Sequence, residues 1–196
     1  MKWKYVWFGL RLVGLKLRHA GRLRLQSFSL SLERDVELIL DGNSSMDFGS
    51  RVYVRRGSVL DARNGATLKI GSRVFMNRGC SVVTRAGIEI GEETLIGEYV
   101  TIYDHNHTFG NPGAPLRLQG FRSKPVRIGR NVWLGTKVFV GAGVTIGDNA
   151  VVGAHTIVTK DIPANSLVYG KSELVIKPLP SAPQETTYGL SEDPAQ

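Results

Sequence analysis

The stretch VRIGRNVWLGTKVFVGAGVTIGDNAVVGAHTIV, from Val126 to Val158, repeats one short pattern without interruption. An apolar residue followed by glycine returns every six positions, at Ile128-Gly129, Leu134-Gly135, Val140-Gly141, Ile146-Gly147 and Val152-Gly153. Neither the helical period of 3.6 nor the plain strand period of two explains this spacing. One large apolar residue and one glycine per unit predict a short strand, a sharp bend and another short strand, with the apolar side chain inward. Three units would form one triangular turn, and stacked turns would form a parallel β-solenoid.

The same pattern continues towards the N-terminus in a less regular form. Residues 48–52 (FGSRV) reappear as residues 70–74 (IGSRV), an offset of 22 residues, which predicts an 18-residue turn with extra corner residues. Ile102 closes the next turn, and the frame resumes only at Ile128. Turn-forming prolines and glycines without periodicity fill the gap, so residues 103–124 are predicted to form an extruded loop.

The unit [Ile/Leu/Val]-Gly-x-x-[small]-x resembles that of the hexapeptide-repeat acyltransferases over roughly residues 46–177. This resemblance implies a left-handed parallel β-helix, whose handedness the periodicity alone does not supply. We therefore expect an all-β solenoid in three parts. Residues 1–35 form a basic amphipathic N-terminal segment, residues 36–177 form the β-helix acyltransferase domain, and residues 178–196 form a disordered tail.

Composition restricts the class of protein and its compartment. A chain of 196 residues suits one domain with modest extensions, and 23 glycines with 8% aromatic residues predict a slim aliphatic core. The single cysteine, Cys80, excludes an internal disulfide and favours a reducing, cytoplasmic location. Residues 1–32 hold seven cations and no acidic residue, so nearly all of the net charge of +8 lies at the N-terminus. Nucleic-acid binding is disfavoured, because these cations precede the fold and no recognised module follows.

In the N-terminal residues 1–25, cations alternate with apolar side chains. The uncharged runs between the cations are too short to span a membrane. As a helix they would place one apolar face together, formed by Trp3, Val6, Trp7, Leu10, Val13 and Leu17. Two hypotheses follow. The segment either caps the open end of the solenoid or lies peripherally on the inner face of the membrane, where its cations would meet anionic headgroups.

The start of the loop, Tyr103-Asp104-His105-Asn106-His107, is the densest group of chemically active side chains in the chain. The loop start resembles that of the sugar O-acetyltransferases among the hexapeptide-repeat enzymes (galactoside, maltose and exopolysaccharide types) and of the related xenobiotic acetyltransferases. These enzymes carry a catalytic histidine five residues after the inward apolar residue that begins this loop. Counted from Ile102, that position is His107. The resemblance thus implies His107 as the general base that accepts a proton from a sugar hydroxyl. Asp104 or a backbone carbonyl would orient the ring, and His105 would assist, bind substrate or itself be the base.

The resemblance assigns further residues to an acetyl-CoA-dependent O-acetyltransferase that needs no metal. Asn77 is implied to bind the acceptor or stabilise an oxyanion, with a corner-residue ladder as the structural alternative. The implied substrate-binding residues are Asn77, Tyr103 and Trp133, and the implied cofactor-binding residues are Trp133, Gly135, Ala142, Ala154, Thr159 and Lys160. The family's homotrimers, with active sites between subunits, agree with outward apolar columns that stack Trp133 over Val151 and Phe139 over Ile157.

Three other functions stay open from the sequence. An amino-sugar acceptor would give N-acetylation with the same base. A zinc lyase resembling the γ-class carbonic anhydrases would use His105, His107 and His155 as ligands. A non-catalytic solenoid would serve as a scaffold. We interpret the sequence as an acetyltransferase acting on a hydroxyl of a sugar or glycan intermediate.

Overall fold

The computed structural model describes residues 13–15, 17–19, 21–27 and 29–170. Over these residues the chain winds into a three-sided solenoid with a parallel sheet on each side. Sheet A contains β1 (Leu23–Leu25), β4 (Ser45–Phe48), β7 (Thr67–Ile70), β10 (Ile88–Ile90), β15 (Val126–Ile128) and β18 (Thr145–Ile146). Sheet B contains β2 (Ser31–Leu32), β5 (Tyr53–Val54), β8 (Phe75–Met76), β11 (Leu95–Ile96), β16 (Trp133–Leu134), β19 (Val151–Val152) and β21 (Leu167–Val168). Sheet C contains β3 (Glu37–Leu40), β6 (Val59–Ala62), β9 (Ser81–Thr84), β12 (Thr101–Tyr103), β17 (Phe139–Val140) and β20 (Ile157–Val158).

The strand register confirms the periods that the sequence predicts. Phe48 pairs with Ile70 in the early coils, at the offset of 22 residues, and Ile128 pairs with Ile146 in the late coils, at the offset of 18. The predicted outward stacking is also confirmed, since β16 pairs with β19 through Trp133 and Val151, and β17 pairs with β20 through Phe139 and Ile157.

The core is a narrow aliphatic column inside the triangle. Every strand of the three sheets except β3 and β21 contributes an inward apolar side chain that is almost completely buried, as Leu60, Ile102 and Leu134 are. On β3 and β21 the inward side chains are partly buried. Large buried side chains on every coil remove apolar area from water and supply most of the stabilisation.

Tight stacking at the corners explains the repeated glycine. A Cβ atom added to Gly91 would lie 2.4 Å from the carbonyl carbon of Gly129 on the next coil, closer than any side chain tolerates. Asparagines form a second corner ladder: the amide of Asn131 donates to Asn149 at 2.9 Å, and that of Asn149 donates to Asn165 at 3.0 Å. All three asparagines have positive φ, a conformation that asparagine adopts more readily than most residues.

Beyond the first coil, whose corner from sheet A to sheet B is one residue longer than the others, the coils differ in length only at the corner that leads from sheet C to sheet A. Between equivalent inward residues this corner takes ten positions from Leu60 to Ile70 and six from Val140 to Ile146. The predicted loop lies at the same corner and adds its own antiparallel hairpin of β13 (His105–His107) and β14 (Phe121–Ser123), with a 3-10 helix at Leu116–Leu118 between them. We call the three corners A/B, B/C and C/A. The C/A corner is where the repeat is free to vary.

The first coil begins at Leu23, so residues 23–35, assigned from the sequence to the N-terminal segment, already carry β1 and β2. Before this coil, residues 13–15, 17 and 18 are helical. No helix within the described ranges has the length and apolar character needed to cross a bilayer. The predicted disordered tail, residues 178–196, lies outside the described residues.

Candidate active site

The β13–β14 hairpin brings two histidines to one face. In the antiparallel register His105 is opposite Ser123 and His107 is opposite Phe121, so both imidazoles and the Phe121 ring share a side of the ribbon. The centroid of the Phe121 ring lies 4.5 Å from that of His107 and 5.4 Å from that of His105. His107 is exposed, whereas only 14% of the His105 side chain is accessible. The two imidazoles are thus presented together at the C/A corner.

A buried carboxylate anchors the base of this hairpin. Asp104 is completely buried and accepts hydrogen bonds from the Thr84 hydroxyl at 2.6 Å and from the backbone N–H groups of residues 85–87 at 2.7–2.8 Å. Its Oδ1 also lies 3.1 Å from Nδ1 of His105. Because an ionised carboxylate only accepts, this contact favours the neutral tautomer of His105 that carries its proton on Nδ1 and has Nε2 as the acceptor. Asp104 therefore orients His105, whereas the sequence interpretation linked it to the His107 ring.

Two aromatic side chains continue the site along sheet C. Tyr103 stacks against His105 with ring centroids 5.7 Å apart and meets the edge of Phe139 at 6.2 Å. Its hydroxyl lies 3.2 Å from the hydroxyl of Ser81. Tyr103 thus lies beside His105, and its role in substrate binding stays a prediction.

Three of the predicted cofactor residues lie on the same corner as the histidines. Ala142 follows β17, and Thr159 and Lys160 follow β20 on the next coil, so all three lie beyond the C-terminal ends of sheet C strands. The returning loop contacts the same corner next to Ala142, because the Gly143 N–H donates to the Lys124 carbonyl at 3.1 Å. A continuous edge therefore runs from the hairpin to Lys160.

The other predicted residues lie elsewhere. Asn77, Gly135 and Ala154 are on the B/C corner, and Trp133 points out from sheet B with 55% of its surface exposed. Within one chain the structure therefore does not bring Asn77 together with the histidines, because sheet C separates the two corners.

A side-chain network fixes the amide of Asn77. Its Oδ1 accepts from Nη1 of Arg55 at 3.1 Å and from the backbone N–H of Arg78 at 2.9 Å, so the amide N–H₂ is left to donate elsewhere. Arg55 in turn lies 3.6 Å from Glu33. Two hydrogen bonds hold the pKa of Glu33 below its usual value: the larger effect comes from the backbone N–H of Arg56 and the next from the hydroxyl of Tyr53. Asn77 thus presents a donor, which suits either role that the sequence implies.

Sequence reasoning missed Phe121, Thr84 and Arg85 at this site. Phe121 reaches the histidines only because the hairpin pairs it with His107 across 13 intervening residues. The repeat of the solenoid gives no indication of such an antiparallel pair. Thr84 and Arg85 follow β9, and their relevance depends on the position of Asp104 on the next coil. The only sequence signal for them was the extra length of the C/A corner.

The three histidines of the zinc-lyase alternative are not assembled within one chain. His155 lies on the B/C corner, where its backbone N–H donates to Thr136, away from His105 and His107. In the part of the chain that the structure describes, no group of three His, Cys, Asp or Glu residues is arranged to hold a metal ion.

Comparison with known proteins identifies the family. Residues 125–160 match the family described as bacterial transferase hexapeptide (six repeats). The putative lipopolysaccharide biosynthesis O-acetyl transferase WbbJ of Escherichia coli K12 is 32% identical over 142 residues, which cover 69% of this chain and 72% of WbbJ. The chain belongs to the hexapeptide-repeat acyltransferases. Membership in this family confirms the left-handed β-helix that the resemblance predicts.

Two further relatives of this hexapeptide-repeat chain extend the comparison. The probable acetyltransferase Rv3034c of Mycobacterium tuberculosis is 33% identical over 134 residues, which cover 68% of this chain and only 44% of that protein. The chain therefore spans less than half the length of this relative. A galactoside acetyltransferase solved in complex with coenzyme A is 31% identical, with a TM-score of 0.51 over 76% of this chain and 60% of that one.

Proposed function

We propose that the protein transfers an acetyl group from acetyl-CoA to a hydroxyl of a sugar or glycan intermediate. The observation that carries this proposal is the pair of imidazoles on the hairpin, one of them oriented by a buried carboxylate. WbbJ, named for O-acetyl transfer in lipopolysaccharide biosynthesis, and the galactoside acetyltransferase bound to coenzyme A support the donor and the class of acceptor.

In the proposed reaction, His107 removes the proton of the acceptor hydroxyl as its oxygen attacks the thioester carbonyl carbon. The tetrahedral intermediate collapses, the C–S bond breaks, and the imidazolium returns its proton to the departing CoA thiolate. The N–H₂ of Asn77 would donate to the acceptor or to the oxyanion. Thr159 and Lys160 at the end of the C/A edge would contact the phosphates of CoA.

His105 is the competing assignment for the base, because its Nδ1 contact with Asp104 leaves Nε2 free to accept a proton. Separate His107→Ala and His105→Ala variants decide between the two. Removal of the histidine that acts as the base should lower kcat by about 10² to 10⁴, and removal of the other histidine should lower kcat by less. CoA release measured with a thiol reagent, together with mass spectrometry of the product, gives the readout; if both variants keep wild-type turnover, the proposed site is wrong.

We propose that the complete site forms between copies of this chain, as a homotrimer. One outer face of the solenoid is charged and solvated, because alternating signs stack down sheet A in the order Arg24, Asp47, Lys69, Glu89 and Arg127. The outer face of sheet B is apolar instead and stacks Tyr53, Phe75, Leu95, Trp133, Val151 and Leu167. A neighbouring copy on this apolar face would bury it and bring the B/C corner of one copy to the C/A corner of the next.

N-acetylation of an amino sugar is the second candidate, because the same base serves an amine. Treatment of the labelled product with hydroxylamine separates the two outcomes. An ester is cleaved and loses the acetyl group, whereas an amide keeps it.

We propose that the N-terminal segment both caps the solenoid and contacts a membrane surface. Leu15 packs against the core and His19 is buried, while Val13 and Leu17 on the predicted apolar face are 48% and 76% exposed. A Val13→Glu/Leu17→Glu variant should lose co-sedimentation with phosphatidylglycerol vesicles while keeping its fold. Wild-type protein that stays in the supernatant would rule out the membrane contact.

A further inference from the structure

Arg85, which follows β9, places a cation against the hairpin, with no acidic partner within the described ranges. The guanidinium carbon of Arg85 lies 3.8 Å from the centroid of the Phe121 ring, and no carboxylate among the described residues lies within ion-pair distance of it. Six other arginines of the described solenoid do have such a partner: Arg24, Arg55, Arg63, Arg73, Arg78 and Arg130. Arg85 is therefore held in place by an aromatic face rather than neutralised by an acid.

The main chain of Arg85 is held in place by the buried carboxylate of Asp104. Its backbone N–H donates to Oδ1 of Asp104 at 2.8 Å, and the two following N–H groups donate to Oδ2 of the same carboxylate. The buried carboxylate that orients His105 thus also sets the position from which the guanidinium extends.

Arg85 and the histidines share the Phe121 ring. His107 lies 4.5 Å and His105 5.4 Å from that ring, centroid to centroid. The distance from the guanidinium carbon of Arg85 to the centroid of the His107 ring therefore cannot exceed the sum of two distances: 3.8 Å from that carbon to the Phe121 centroid and 4.5 Å from the Phe121 centroid to that of His107. One sugar ring with a charged substituent spans such a separation.

The loop offers nothing that would neutralise this arginine. Residues 103–124 contain one carboxylate, Asp104, which is fully buried and already accepts from five groups. A planar guanidinium binds a carboxylate or a phosphate through paired hydrogen bonds. We propose that Arg85 binds an anionic group of the acceptor, a carboxylate or a phosphate, and so places the acceptor hydroxyl against the histidine pair. This inference rests on the proposed acyl transfer.

The test compares three acceptors built on one glucose ring, each with wild type and Arg85→Gln: methyl glucoside is neutral, methyl glucuronide carries a carboxylate at C6, and glucose 1-phosphate carries a phosphate at C1. Glutamine keeps the backbone donor to Asp104 and loses the cation. A hydrogen-bonded charge contributes about 1.5–3 kcal/mol, so we expect kcat/KM for the preferred anionic acceptor to fall about 10- to 100-fold, mostly through KM. The value for methyl glucoside should change less than about threefold. The two anionic acceptors distinguish a carboxylate from a phosphate as the bound group.

Arg122→Gln is the matched control, because Arg122 pairs with Asn106 on the opposite face of the same hairpin. It should leave all three acceptors unaffected. An equal loss with charged and neutral acceptors in Arg85→Gln would mean that Arg85 only stiffens the hairpin, and would overturn the inference. So would an unchanged kcat/KM for both anionic acceptors.

If wild type transfers acetyl to no acceptor, the proposed function fails, and binding then tests Arg85 separately. Isothermal titration with glucose 1-phosphate and with methyl glucuronide should show binding of one of them to wild type and at least tenfold weaker binding to Arg85→Gln. Equal binding to both proteins, or binding of neither compound, would overturn the inference.

Discussion

Replacing Asp104 with asparagine tests whether one buried carboxylate holds the hairpin to the solenoid. The side chain is completely buried and accepts from the Thr84 hydroxyl, from the three backbone N–H groups of residues 85–87 and from Nδ1 of His105. Asparagine has nearly the same shape but offers one acceptor oxygen and two donor hydrogens. Whichever way the amide turns, at least one N–H group of the protein then faces another N–H.

The cost follows from these contacts. A hydrogen bond to a charged group contributes about 1.5–3 kcal/mol, and a buried donor left unpaired costs about 1–3 kcal/mol. Since at least one contact to the carboxylate turns from favourable to unfavourable, we expect Asp104→Asn to lower the free energy of unfolding by about 3 kcal/mol. For a chain of this size, 1 kcal/mol corresponds to about 2–4 °C, so Tm should fall by about 6–12 °C.

Urea denaturation followed by tryptophan fluorescence measures this loss, with Asp148→Asn as the control. Asp148 also joins two coils, through the backbone N–H of Arg130 at 2.8 Å, but its side chain is 38% exposed. Exposed ion pairs contribute up to about 1 kcal/mol, so the control should remain within that amount of wild type. An Asp104→Asn variant as stable as the control would refute the anchoring role.

The same variant also reports on His105. Without the carboxylate, Nδ1 of His105 no longer has an obligatory acceptor, so the orientation and tautomer of the ring are no longer fixed. Acetyl transfer should therefore fall in Asp104→Asn even at a temperature where the variant is fully folded. If His107 alone acts as the base and the hairpin keeps its position, this fall will be small, and the His105→Ala variant will show the same small effect.

Four other experiments test the fold and its assembly. Gly91→Ala should lower the free energy of unfolding by about 1–3 kcal/mol in urea denaturation, since its Cβ would overlap the next coil, whereas Gly141→Ala, whose nearest contact is 3.4 Å away, should remain near wild type. Leu95→Lys, which adds a charge to the apolar face of sheet B, should convert a trimer to monomers in light scattering, and a wild-type monomer would contradict the assembly. Burial raises the pKa of the Cys80 thiol to about 11, so iodoacetamide should label it only in unfolded protein. Burial lowers the pKa of His19 below its usual 6.5, so the unfolded chain takes up this proton first as pH falls; stability should be full above about pH 7 and decrease towards pH 5, and His19→Gln should flatten that decrease in pH-dependent urea titrations.

The sequence predicted the solenoid well because its core repeats. Each inward residue such as Ile128 or Val140 must match the residue above and below it, so a period visible in the chain is also a period in space. The offset of 22 residues, the extruded loop and the outward stacking of Trp133 follow from the same rule. The same rule fixes the coil to which each site residue between Tyr103 and Lys160 belongs.

The contacts inside the loop could not be predicted in the same way. Nothing periodic links His107 to Phe121, because an antiparallel hairpin pairs residues whose separation depends on the loop between them. The partner of Asp104 was also hidden, since the carboxylate turns back to the corner of the preceding coil rather than along the hairpin towards His107.

Lengthening a corner of a solenoid creates backbone donors that the regular coil ladder does not satisfy, and a buried N–H needs a partner. At an earlier coil the hydroxyl of Ser44 accepts from the N–H of Gly65, and at the fourth coil Asp104 accepts from three consecutive N–H groups, residues 85–87. Three donors require more acceptor capacity than a hydroxyl offers, which explains why a carboxylate follows Ala62 and Thr84 in this column. Because that carboxylate also reaches His105, the residue that makes the irregular corner stable is the one that orients a histidine of the site. Substitutions at residue 104 should therefore lower stability and activity together. Substitutions at His107, which lies beyond the residue that anchors the hairpin, should lower activity while stability is kept.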